Sequence, residues 1–93
     1  MPLQSALASY VATLERCVAS THRAEDRCLY EKYLMGAGTL LAACILGEPI
    51  DALNDRIKDH DRTWGHTWLQ DPVYHEAASA WSAAKEEARK VAT

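Results

Sequence analysis

Two short punctuation marks constrain this chain more than any other feature. Gly47-Glu48-Pro49 places a residue suited to ending a helix two positions ahead of one suited to opening the next. Asp71-Pro72 pairs an N-cap residue with a proline at the first helical position. A softer turn lies at Ser20-Thr21-His22, where small capping residues interrupt an otherwise helical pattern. The spacing predicts helices over about 3–21, 23–46, 49–69 and 72–91. Short turns favour antiparallel neighbours, so the expected fold is all-α, an antiparallel up-down four-helix bundle forming a single domain over residues 1–93.

Periodicity names the core. At 100° per residue, Leu3, Leu7, Tyr10, Val11, Leu14, Cys17 and Val18 share one arc of the first helix. Val73, Tyr74, Ala77, Ala80, Trp81, Ala84, Ala88 and Val91 do the same in the fourth, where the alanines let a neighbour approach closely. The third gathers Ile50, Leu53, Ile57, Trp64 and Trp68, with Gly65 placed to end or bend it early.

The second helix differs. Its first half has one apolar arc, Leu29, Tyr30, Tyr33 and Leu34, facing away from Glu25, Arg27, Glu31 and Lys32. That arc continues through Ala37, Leu40, Leu41 and Cys44, yet the side that was charged now carries Met35, Gly38, Thr39, Ala42 and Leu46. A helix apolar on both sides needs two partner surfaces, and a bundle supplies one. Either the termini or the turn after the third helix fold over the second arc, or a second copy covers it. Gly36 and Gly38 sit mid-helix, where they permit close packing and do not form a phosphate loop.

Composition excludes several classes of function. Hydrophobic residues at 48% and charged residues at 25% are those of a chain that folds. The net charge of -3, with no basic block, speaks against nucleic acid. The longest uncharged run, Tyr33 to Gly47, is about 22 Å long as a helix, short of the roughly 20 residues that span a bilayer, so no membrane partner is expected. Three cysteines without CxxC spacing, and a start lacking the charged and apolar regions of a signal peptide, favour a cytoplasmic setting.

No catalytic constellation emerges, so the chain is not expected to be an enzyme. No Asp or Glu precedes His22, His60, His66 or His75 by three residues, which removes the inward Glu-x-x-His pairs of bundle metal sites. His60 and His66 lie about 120° off a shared face on a continuous helix. Asp26 and Asp61 fall inside apolar arcs, but antiparallel register separates them by about 13 Å along the axes, too far for a shared acid–base pair. Asp61 requires a partner or a place at the arc's wet edge, with Arg62, His60 or a charge from the start of the second helix as the nearest choices. The cysteines lack a neighbouring base and read as packing residues.

The sequence therefore points to a non-catalytic protein–protein interaction or regulatory module with no metal and no cofactor. Its partner is a protein or a second copy of itself. The expected interaction surface combines the second arc, Met35, Thr39, Ala42 and Leu46, with the dense segment carrying His60, Trp64, His66 and Trp68. The alternative is a ligand or cofactor bound in the bundle core near Trp64, Trp68, Trp81 and His60. An enzyme is the third and weakest reading.

Overall fold

In the computed structural model, which describes residues 2–63, 68 and 71–92, the helices are α1 (Pro2–Ser20), α2 (Ala24–Ile45), α3 (Ile50–Thr63) and α4 (His75–Ala92). A 3-10 turn, Pro72–Tyr74, leads into α4. Each helix packs on its neighbours in a closed cycle, α1 against α2 and α4 most extensively, and α3 more lightly against α2 and α4. This is the all-α, antiparallel up-down bundle, built around one core.

Local chemistry sets the turns. Gly47 adopts φ 80°, which costs an L side chain and suits glycine. Its amide donates to the Cys44 carbonyl at 3.1 Å and that of Glu48 to Ala43 at 3.1 Å, the paired bonds that close a helix C-terminus. The Pro49 carbonyl accepts from Leu53 at 3.0 Å, so proline stands at the cap of α3 and not inside it. At the other mark, the Asp71 side chain accepts from the Val73 amide at 3.0 Å. The start of α2 has no side-chain cap at Arg23; instead Glu25 and Asp26 set negative charge in its first turn.

The core follows the stripes with exceptions. Leu3, Leu7, Tyr10 and Leu14 are buried on α1, and so is Thr13, which periodicity alone leaves out. On α4 the stripe is Ala77, Trp81, Ala84 and Ala88; Val73, in the 3-10 turn before the helix, and Val91, in its last turn, were expected in the stripe and are exposed. The described residues of the third helix run from Ile50 to Thr63, and the expected boundary near 69 lies outside the described residues. The question of a break at Gly65 lies outside the described residues.

Ring contacts organise the centre. Tyr10 packs on Trp81 with centroids 5.0 Å apart, Trp81 on His60 at 4.6 Å, and Tyr33 edge-on to Trp68 at 4.1 Å. Gly36 lets α3 approach α2 at this level, for a Cβ there would stand 3.0 Å from His60 Nδ1. A Cβ at Gly38 would meet nothing within 4 Å.

The two glycines therefore predict opposite outcomes. The His60 ring is held and has little room to yield, so Gly36→Ala should lower stability by about 1 kcal/mol, the clash exceeding the gain in helix propensity. Gly38→Ala should raise it by up to about 1 kcal/mol. Urea denaturation of both variants, read by circular dichroism, checks the pair; equal signs would refute the packing account.

Candidate interaction surface

The expected surface residues separate into two groups. Met35 is 76% exposed and Leu46 84%, with Thr39 and Ala42 open between them. No described residue covers them. Ile45, 59% exposed, extends the patch along one flank. From Met35 to Leu46 the face runs about 16 Å with no charge.

His60 and Trp68 belong to the core and not to the surface. His60 is 6% exposed and Trp68 2%. The reason is a hydrogen-bonded relay through Tyr10. Trp68 Nε1 donates to the Tyr10 hydroxyl at 3.1 Å, and that hydroxyl lies 2.9 Å from His60 Nε2. An indole N–H only donates, so the phenol oxygen accepts from Trp68, while the donor between the hydroxyl and His60 Nε2 is set by the imidazole tautomer. Sequence carried a signal for its burial: His60 stands three residues after Ile57 and seven after Leu53, on their arc, a position masked by the flanking Asp59 and Asp61. Trp64 and His66 lie outside the described residues.

Electrostatics fit this relay. Burial lowers the His60 pKa from 6.5 to about 4, against the opposing pull of Asp61 and Asp59. Burial likewise holds the Tyr10 phenol protonated, well above its ordinary range. The partner of Asp61 comes from α4, not from α3 or the start of α2 as the sequence suggested: Trp81 Nε1 donates to it at 2.8 Å and Lys85 Nζ lies 3.2 Å away. Burial opposes its charge, but the bonds from Trp81 and Lys85 outweigh that and keep the carboxyl below its usual value. Asp26, buried at the start of α2, accepts from the Tyr74 hydroxyl at 2.9 Å and has Arg23 Nε at 3.6 Å. The two acids thus serve separate partners and form no pair.

These bonds also decide what the core offers a ligand. The polar atoms of Trp68, Trp81 and His60 Nε2 are all engaged within the protein, and no buried side-chain nitrogen or oxygen among the described residues lacks a partner. These groups of the core-ligand reading are committed within the fold, and Trp64 lies outside the described residues. A groove of about 570 Å³ does open at the junction of α1, α2 and α4, lined by Arg16, Cys17, Asp26, Tyr30 and Glu76. Its groups are paired: Arg16 with Glu76 at 3.8 Å, Asp26 with Tyr74. Burial, reinforced by Glu76, pushes the Cys17 thiol up, away from nucleophilic thiolate. Among the described residues no three His, Cys, Asp or Glu converge to hold a metal ion. None of the described helices is long and apolar enough to cross a membrane. Comparison with protein-family models, curated proteins and solved structures finds no match.

The His60 relay sets a pH dependence. The unfolded chain protonates this histidine near 6.5 while the folded protein resists until about 4. Its contribution is complete above pH 6.5 and is lost as pH falls toward 4, at up to about 1.4 kcal/mol per pH unit. Urea midpoints measured between pH 7 and 4.5 should fall accordingly, and His60→Gln should flatten that part of the profile. A flat profile in the parent protein would mean that His60 charges freely in the fold.

Proposed function

We propose that this chain is a non-catalytic protein-interaction module that docks through the outer face of α2. One observation carries the reading: Met35, Ile45 and Leu46 stand 76%, 59% and 84% exposed on a helix face without a charged residue. Single exposed apolar side chains are ordinary, but a contiguous set on one face marks a contact surface. Covering a Met or Leu fully stabilises an assembly by roughly 1.5 to 3 kcal/mol per side chain. Gly38 adds to the case, since a mid-helix glycine costs about 1 kcal/mol and its own fold makes no use of the space. A reducing, cytoplasmic setting completes the proposal, supported by free Cys17, Cys28 and Cys44, of which Cys28 is exposed.

The experiment places a photo-cross-linking amino acid at position 35 and irradiates cells expressing the chain. Adducts that vanish on adding Leu46→Glu are expected, whereas the same probe at exposed Ser82 on α4 should give none. Leu46→Glu should leave stability within about 0.5 kcal/mol of the parent, because the side chain is solvated in the free protein. Adducts at position 35 that persist unchanged in Leu46→Glu, or none at all, would overturn the proposal.

A further inference from the structure

Resting on that reading, we infer that the partner of the α2 face is a second copy of this chain, bound antiparallel about a two-fold axis level with residues 40 and 41. The face is a palindrome of side-chain size. Large Met35 and Leu46 stand at its ends and small Thr39 and Ala42 between them, equally spaced about that level. A two-fold rotation sets Met35 of one copy against Leu46 of the other and brings the Thr39 and Ala42 pairs together at the centre. The small central residues then let the backbones approach, while the large ends interdigitate. An isologous contact requires this self-complementarity, and an unrelated partner would not.

Charge supports the same register. Lys32 is exposed on α2 and lies on the flank of the face that borders α3, the side marked by Gly36 against His60. A two-fold axis at right angles to the helix keeps the α3 flanks of both copies on one side. The level of Lys32 in one copy is then that of residue 49 in the other, where exposed Asp51 stands at the start of α3, Glu48 being already paired with Arg56 at 2.8 Å. Each copy offers its lysine to the other's Asp51, so the attraction is made twice. The parallel arrangement would instead place Lys32 level with the other Lys32. One helix pair buries much less than the roughly 800 Å² per partner of a standard interface, so the dimer is weak and concentration-dependent.

Sedimentation equilibrium under reducing conditions, from about 10 μM to 1 mM, tests the inference on a scale where association of this strength is visible. The parent chain should move from one chain mass toward two. Met35→Lys and Leu46→Glu alone should each weaken association at least about tenfold while leaving the helical circular dichroism unchanged. The double variant should recover most of that loss, because the introduced ammonium of one copy faces the introduced carboxylate of the other. A parent that stays at one chain mass throughout overturns the dimer, as does a double variant no better than the singles. If the dimer fails while Leu46-dependent adducts to other proteins persist at position 35, the interaction module stands and the self-association alone is refuted; if both fail, both readings fall.

Discussion

The Tyr10 hydroxyl is the interaction on which the rest of the bundle depends. It is a single oxygen, yet it satisfies the indole N–H of Trp68 and the Nε2 of His60 together. Without it two buried polar groups would be orphaned, each at a cost of about 1 to 3 kcal/mol. The bond between Tyr10 and His60 also joins α1 to α3 across the diagonal of the bundle, where helix backbones do not meet. This fixes more than position. Burial beside Tyr10 and Trp81 also disfavours charge on His60 and holds its ring neutral. The low pKa of His60 and the close approach at Gly36 are then two faces of one demand: a neutral imidazole packed tightly against α2.

Outward from this hub, the polar thread ends in carboxylates placed where water begins. Trp81 packs on both Tyr10 and His60 and delivers its N–H to Asp61, half exposed and balanced by Lys85. On the other side Trp68 stacks near Tyr30 and Tyr74, and Tyr74 closes on Asp26. Aromatic rings supply most of the buried area while their polar tips find partners in sequence, so a wide aromatic core carries no unpaired buried side-chain atom among the described residues. Each terminal acid also selects register, Asp61 between α3 and α4 and Asp26 between α2 and the segment before α4. A one-residue slip of either pair would rotate the donor away and strand a carboxylate.

What the sequence disclosed and what it concealed divide along locality. The Gly47 and Asp71-Pro72 marks were legible because backbone conformation and capping depend on a few adjacent residues. The stripes of α1 and α4 were legible because periodicity is a property of one helix. The partner of Asp61 was not, because it comes from α4, and nothing within α3 indicates which neighbour will present an indole N–H. His60 was grouped with the Trp-rich segment as candidate surface, although its spacing from Leu53 and Ile57 marks it as inward, because the Tyr10 hydroxyl that supports its burial lies 50 residues away. The exposure of Met35, Thr39, Ala42 and Leu46 was open in the sequence, since apolarity on two sides says that two surfaces are needed and not who supplies the second.

The two glycines of α2 separate what the fold requires from what it leaves over. Both weaken the helix by comparable amounts, and they lie only two residues apart. Gly36 is explained inside the molecule, because His60 occupies the space a side chain would take. Gly38 has no such account: the volume beside it is empty, and alanine would hold the helix better. A residue that costs stability and gains no contact within its own chain is what the proposed contact on this face would account for. The same reasoning extends to Met35, Ile45 and Leu46, which add nothing to a core already filled by Tyr30, Tyr33, Ala37 and Leu40 on the opposite side of the helix. The inner face of α2 is spent on the bundle, and its outer face keeps apolar side chains that the bundle itself does not use.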